Sequence, residues 1–149
     1  ASTPNGLGLV VIDYLQLVTT GSNRVESRQV EVSEISRSLK TMALELDVPV
    51  IALAQLSRSV DKRENKEPAL VDLRESGSLE QDADLVLFLN RKDYYEAKSE
   101  KKENIVPIDV IIAKHRKGST GLYRLLFELN MSNFKNYLHT ENNEGGNYA

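Results

Sequence analysis

Five short runs of aliphatic residues follow one another along the chain and predict five β-strands. They are Leu7–Val18, Pro49–Leu56, Ala83–Asn90, Val106–Ala113 and Leu122–Leu129. The first four are continuously apolar, a pattern typical of strands that are buried on both faces of a parallel sheet. The last two flank the basic segment KHRKGSTG, residues 114–121, whose two glycines predict an antiparallel hairpin with a basic tip.

One amphipathic helix is predicted between the first two strands, over Arg28–Leu46. Apolar residues recur there at spacings of three and four and therefore share one face: Val32, Ile35, Leu39, Met42 and Leu46. The order strand, helix, strand implies two parallel strands joined by a right-handed crossover. The pattern predicts an α/β fold, with a mostly parallel sheet flanked by helices and a C-terminal antiparallel hairpin.

The composition permits one domain of ordinary size and excludes several kinds of site. A chain of 149 residues can bury a sizeable core, and its formal net charge of −3 neither favours nor excludes a nucleic-acid partner. There is no cysteine, and the two histidines, His115 and His139, are far apart, which argues against a zinc site. We expect residues 1–138 to form the folded unit and the Asn- and Gly-rich residues 139–149 to be a disordered tail.

The hydropathy pattern predicts a soluble, cytoplasmic protein without membrane contact. No segment approaches the roughly 18 consecutive apolar residues of a membrane-spanning helix. The first six residues also lack the basic and hydrophobic pattern of a signal peptide.

Two polar residues lie near the carboxyl ends of the first two predicted strands. Asp13 interrupts GLGLVVIDYLQL, residues 6–17, and Gln55 ends VIALAQ, residues 50–55. Ligands of open parallel sheets bind outside the carboxyl ends of the strands, where a carboxylate suits hydrated Mg²⁺ and an amide suits a phosphate or an attacking water. Alternatively, Asp13 caps a turn and Gln55 is merely half-buried, and the pattern alone leaves both interpretations open.

Two further segments could contact anions. Arg74 precedes Ser76 and Gly77, which look like the entry to a short helix with free backbone N–H groups. The alternative there is a capped helix with an internal salt bridge. Lys114 and Arg116 crowd the hairpin tip, where either solvent screens their charges or they reach a phosphate on another molecule.

Taken together, four segments closely resemble the carboxyl half of the ATPase domain of bacterial replicative DNA helicases, the DnaB family. They occur in the family's order and spacing: GLGLVVIDYLQL, EVSEISRSLKTMALELDVPVIALAQLSRSV, DLRESGSLEQDADLVLFL and IIAKHRKGSTG. The resemblance covers most of residues 6–128 and implies a partial RecA-like P-loop NTPase fold. It also implies a parent protein that hydrolyses ATP with Mg²⁺, translocates on single-stranded DNA and unwinds the duplex at the replication fork as a homo-hexameric ring.

The resemblance assigns nucleotide-related roles to four residues. Asp13 matches the Walker B aspartate, which holds magnesium through water, and Gln55 matches the residue that senses the terminal phosphate. Arg116 matches the arginine finger and Lys114 its basic companion. Both cations would act on ATP bound by the neighbouring subunit.

The resemblance also assigns a DNA contact and further partners. Arg74, Glu75 and Gly77 match the loop that holds successive phosphates of single-stranded DNA, largely through main-chain groups. Such a contact does not recognise bases, so translocation should be independent of sequence. Primase and a helicase loader, the partners of the primosome, are also implied.

The sequence contains no G-x-x-x-x-G-K-[ST] motif, the Walker A loop that binds the phosphates of a nucleotide. The resemblance implies that this Walker A loop and a catalytic glutamate precede residue 1 in the parent, so we expect the chain alone to be inactive. It further implies that the Walker A strand lies between the strand ending at Gln55 and Ala83–Asn90. Without that strand, the other two are expected to have unpaired, aliphatic edges, and the isolated chain is expected to aggregate or rearrange.

Two other functions remain open. One is that of another RecA-like ATPase of a ring or filament, although the joint presence of DLRESGSLEQDAD and KHRKG argues against it. The other is a non-catalytic module that keeps the single-stranded DNA loop and the ring interface but hydrolyses nothing.

Overall fold

The computed structural model describes residues 6–21, 27–57, 60–92 and 103–137, with the main chain alone at residues 62 and 74–77. The strands are β1 (Val10–Ile12), β2 (Val50–Ala52), β3 (Leu85–Asn90), β4 (Ile105–His115), β5 (Gly121–Glu128) and β6 (Asn133–Asn136). The α-helices are α1 (Arg28–Leu46) and α2 (Gly77–Asp82). Shorter 3₁₀ helices span Leu15–Leu17, Val60–Lys62 and Leu70–Ser76.

Helix α1 has the bounds that its apolar periodicity predicts, Arg28–Leu46. Ser27 caps its first turn by accepting a hydrogen bond from the Val30 N–H, and Asp47 ends the helix in the left-handed conformation. Val32 and Ile35 are buried on the predicted face. The face therefore packs at its N-terminal half.

Strands β1 and β2 form the predicted parallel pair, in register from Val10 opposite Val50 to Ile12 opposite Ala52. The regular strands are shorter than the aliphatic runs in the sequence. The backbone bonds nevertheless continue past them, since the Leu53 N–H donates to Ile12 O at 2.9 Å and the Leu15 N–H to Leu53 O at 2.8 Å. The carboxyl ends of the two strands consequently stay side by side.

The other four strands form an antiparallel sheet in the order β3-β4-β5-β6. Strands β4 and β5 are the predicted hairpin, and the α/β class is confirmed. The antiparallel part is larger than predicted: β3, expected in the parallel sheet, pairs antiparallel with β4, and β6 was not expected at all. An aliphatic run predicts burial but does not encode the direction of the neighbouring strand, which explains the difference for β3.

One face of the antiparallel sheet carries the core. Leu73 packs with Val86 and Phe88 of β3, and partly buried hydrophobic residues surround them: Leu56, Leu70, Ala83, Ile111 and Ala113. On the other face of β3, Leu87 and Leu89 are 51% and 63% exposed. In the parallel pair Val11 is 56% exposed, and within the described residues the two sheets share no hydrogen-bonded strands. Within the described residues β2 pairs only with β1 and β3 only with β4, so each has one edge without a strand partner. Val11 lies on β1, a strand for which the resemblance implies no such edge.

A buried carboxylate ties the antiparallel strands together away from the hairpin tip. The Asp109 side chain is 3% exposed, accepts a hydrogen bond from Arg124 Nε at 2.8 Å and pairs with Lys92 at 3.4 Å. The Arg124 hydrogen bond is the main reason that the pKa of Asp109 lies below its usual range. Asp109 therefore remains ionised and links β4 to β5 and to the residues after β3.

Among the helices that the structure describes, none has the length and apolar character needed to cross a membrane. The tail predicted for residues 139–149 lies outside the described residues.

Candidate nucleotide and DNA interfaces

Asp13 and Gln55 lie at one edge of the parallel pair. Asp13 directly follows β1, Gln55 follows β2 by three residues, and both side chains are exposed. Because the strands are parallel and in register, the structure brings both residues to the carboxyl edge, as the sequence predicts. Their chemical roles remain predictions.

Gln16 links the segments that carry these two residues. Its Nε2 donates to Gln55 O at 3.1 Å, and the Gln55 N–H donates to Gln16 Oε1 at 3.3 Å. One side chain thus satisfies both main-chain polar groups of Gln55 and fixes its backbone. Sequence reasoning missed Gln16, for which the only local signal is a polar residue between two leucines.

The first turn of α1 forms hydrogen bonds with the segment that follows β1. Arg28 donates to carbonyl groups that follow β1, those of Leu15, Gln16 and Val18. Arg28 also pairs with Glu31, whose carboxylate accepts the Thr20 N–H at 3.0 Å. The Thr20 hydrogen bond, followed by that of Arg28, holds the pKa of Glu31 below its usual range. The chain after Asp13 is therefore anchored at both ends.

Lys114 and Arg116 meet at the carboxyl end of α2. Lys114 Nζ donates to Glu80 O at 2.6 Å and to Gln81 O at 3.1 Å, and Arg116 Nη2 donates to Gln81 O at 2.5 Å. The last carbonyl groups of a helix have no partner within it and attract cationic donors. The sequence analysis expected these charges either to be screened by solvent or to reach a phosphate on another molecule. It did not predict their contact with α2 of the same chain.

Asp84 completes this arrangement. Its main-chain oxygen accepts the Arg116 N–H at 2.8 Å, and its carboxylate lies 3.4 Å from Arg116 Nη1 and pairs with Lys40 of α1. One turn earlier in α1, Ser36 donates to the Asp82 carboxylate at 2.7 Å. Sequence reasoning missed these contacts, although two carboxylates directly before a strand, in QDADL, are a detectable signal.

The predicted DNA loop lies where the 3₁₀ helix Leu70–Ser76 meets α2. Arg74 and Glu75 belong to the 3₁₀ helix, and Gly77 is the first residue of α2, which agrees with the predicted helix entry. The side chains at 74–77 lie outside the described atoms, so a salt bridge of Arg74 is not tested. The ion pair observed in this segment is instead that of the buried Asp72 with Arg63.

The structure thus separates two groups of predicted site residues. Asp13 and Gln55 follow the strands of the parallel pair, whereas Lys114 lies near the end of β4 in the antiparallel sheet and Arg116 directly follows that strand.

Comparison with known proteins defines the class to which this arrangement belongs. The sequence matches the family described as "DnaB-like helicase C terminal domain" over residues 1–136. The chain belongs to this family, which confirms the resemblance inferred from the four segments.

Individual relatives and a solved structure support the same family. The chain is 58% identical over 132 residues to the replicative DNA helicase DnaB of Geobacillus stearothermophilus, and 54% identical over 132 residues to the replicative DNA helicase DnaC of Bacillus subtilis (strain 168). Each match covers 89% of this chain and 28% of the relative, so the chain spans less than a third of their length. The structure superposes on a solved ATPase domain with a TM-score of 0.77 and 55% identity, over 87% of this chain and 44% of that one.

A second solved structure gives the same result. It is that of a DnaB-like replicative helicase described with its interactions with primase, and it has a TM-score of 0.77 and 55% identity. The match covers 87% of this chain and 31% of that chain. The fold class is that of DnaB-like ATPase domains.

Proposed function

We propose that the parent of this chain is an ATP-dependent replicative DNA helicase, a cytoplasmic homo-hexamer that translocates on single-stranded DNA and unwinds the replication fork. The observation that carries the proposal is the separation of Asp13 and Gln55 from Lys114 and Arg116 on the two sheets. One subunit would supply the first pair to a nucleotide and its neighbour the second pair. The family membership and the replicative helicases among the relatives support the same function.

The carboxyl edge of the parallel pair fits ATP and Mg²⁺. Asp13 offers an exposed carboxylate there, and no cluster of three metal-ligating side chains occurs in the described part of the chain. Magnesium on a nucleotide usually takes one or two protein carboxylates together with water and phosphate oxygens. Asp13 would hold the ion through water, and the fixed Gln55 segment would present its amide to the terminal phosphate.

Lys114 and Arg116 would act across a subunit interface. Their contacts with the end of α2 use carbonyl groups and the carboxylate of Asp84, and the Arg116 side chain remains 47% exposed. A guanidinium directed at a neighbour's terminal phosphate stabilises the charge that develops during phosphoryl transfer. Lys114 would support it as the second cation.

The junction before α2 would hold DNA. Main-chain groups around Arg74, Glu75 and Gly77 would contact successive phosphates, which makes translocation independent of base sequence. Primase and a helicase loader would bind other parts of the parent protein. The primase partner is supported by the related helicase structure described with its interactions with primase.

The experiment that tests this function uses the full-length parent with forked DNA of several unrelated sequences. We expect unwinding that requires ATP and Mg²⁺, fails with a non-hydrolysable ATP analogue and does not depend on sequence. Salt-sensitive single-strand binding without hydrolysis would instead identify the non-catalytic module. Hydrolysis without unwinding would identify another type of RecA-like ATPase.

The Gln16 contact gives a prediction about catalysis. In the full-length parent, Gln16→Met keeps the side-chain length but removes both hydrogen bonds to Gln55. We expect kcat for ATP hydrolysis to fall about tenfold, since small displacements of a positioned group are costly to turnover. The KM for ATP should stay within about twofold.

The matched control is Gln29→Met, the same change at an exposed position in the first turn of α1. It should leave steady-state hydrolysis unchanged. If Gln16→Met behaves like this control, the link between Gln16 and Gln55 has no catalytic consequence.

A further inference from the structure

Asp84 lies between α2 and β3, where contacts from two directions meet. From the end of β4, Arg116 donates its main-chain N–H to Asp84 O at 2.8 Å and places its guanidinium 3.4 Å from the carboxylate. From α1, Lys40 pairs with the same carboxylate. Asp84 thus ties the residue that resembles an arginine finger to a helix of its own subunit.

The exposure of this cluster argues against a large contribution to folding stability. The side chains of Asp84 and Arg116 are 61% and 47% exposed, and ion pairs at such positions contribute little to stability. The direct contacts of Lys40 and Arg116 hold the pKa of Asp84 below its usual range, so the carboxylate is ionised at neutral pH. The main effect of this anion on the long, flexible Arg116 side chain is therefore to restrict the direction in which its guanidinium points.

Helix α2 joins this cluster to the predicted DNA contact. It begins at Gly77, directly after the 3₁₀ helix that contains Arg74 and Glu75, and its six residues span only about 9 Å. At its far end, Glu80 and Gln81 accept hydrogen bonds from Lys114 and Arg116. The loop and both cations contact opposite ends of one short helix. If bound phosphates displace the loop, α2 would therefore carry the movement to Lys114 and Arg116.

We propose that Asp84 is a positioning residue that keeps Arg116 aligned with α2, so that DNA bound before α2 controls how the arginine meets the neighbouring subunit's nucleotide. This inference rests on the proposed helicase function. Asp84 itself touches neither nucleotide nor DNA in this scheme. It acts through Arg116.

The test uses the full-length parent with Asp84→Asn. We expect kcat for ATP hydrolysis in the presence of single-stranded DNA to fall about tenfold, the size of effect that residues along a coupling network produce. The KM for ATP should stay within about twofold, because the nucleotide contacts of the subunit are unchanged. Asp84→Glu, which keeps the charge, should recover most of the stimulation by DNA, and both variants should melt at the wild-type temperature.

The chain offers a closely matched control in Asp82→Asn. It makes the same chemical change two residues earlier, at a carboxylate that accepts a hydrogen bond from Ser36 of α1, whereas Asp84 pairs with Arg116 after β4. DNA-stimulated hydrolysis should remain within about twofold of wild type. An equal loss in Asp82→Asn and Asp84→Asn would show a general requirement for the end of α2 and overturn the proposal.

A double-mutant cycle separates positioning from a structural effect. Once Arg116 is replaced by alanine, Asp84→Asn should cause no further loss, because the group that it positions is gone. A further loss in that background would overturn the proposal, as would wild-type stimulation by DNA in Asp84→Asn alone. If Arg116→Ala leaves turnover unchanged, the proposed role of Arg116 fails first, and the two failures are therefore distinguishable.

Discussion

Replacement of Arg116 by alanine in the full-length parent should lower ATP hydrolysis by about 10³-fold or more, the contribution of an arginine finger in nucleotide hydrolases. Nucleotide binding should remain largely intact, because Arg116 follows β4, away from the strands that precede Asp13 and Gln55 in the sequence, and is proposed to act on the neighbouring subunit's nucleotide. Single-turnover hydrolysis and equilibrium binding of a fluorescent ATP analogue measure the two effects separately.

Lys117→Ala is the appropriate control for Arg116→Ala, since Lys117 is an exposed cation in the same hairpin tip. It should leave hydrolysis close to wild type. Unchanged turnover in Arg116→Ala, or a loss of ATP binding as large as the loss of hydrolysis, would show that Arg116 is not an arginine finger.

The elements of the fold that the sequence predicted correctly are those with local signals. Helix α1 was placed correctly because the spacing of its apolar residues is a local signal. The parallel pair followed from the strand, helix, strand order. Strand β6 was missed because NFKN, residues 133–136, is short and contains one apolar residue, Phe134, so it forms no apolar run in the sequence.

The candidate site shows the same division. Asp13 and Gln55 were singled out by their positions near strand ends, and all four residues, with Lys114 and Arg116, by segments that match a family pattern; their roles stay predictions. The Gln16–Gln55 bonds span 39 positions, and the contact of Arg116 with Asp84 spans 32. Such contacts join a side chain to a distant main chain or carboxylate, so no spacing along the sequence predicts them.

Asp13→Asn is expected to have the other large effect. The substitution keeps the size of the side chain at the end of β1 but removes the charge proposed to hold hydrated Mg²⁺. Hydrolysis should fall by about 10²-fold, the order seen when a single electrostatic stabiliser is lost. The Mg²⁺ concentration for half-maximal activity should rise, and ATP binding without Mg²⁺ should change little. Titration of hydrolysis against Mg²⁺ measures the effect directly.

Asp47→Asn is a suitable control, because Asp47 is exposed and asparagine also tolerates its left-handed conformation at the end of α1. A Mg²⁺ dependence of Asp13→Asn equal to that of the control would leave Asp13 as a turn residue, the alternative that the sequence left open.

A mixture of Asp13→Asn and Arg116→Ala subunits tests both roles at once. In the proposed ring, each variant alone would form only defective interfaces. In mixed rings, some interfaces combine the intact Asp13 of one subunit with the intact Arg116 of its neighbour, and these should hydrolyse ATP. Recovered activity on mixing would therefore show that the two residues act on one nucleotide from different subunits, whereas an inactive mixture of exchanging subunits would contradict action across the interface.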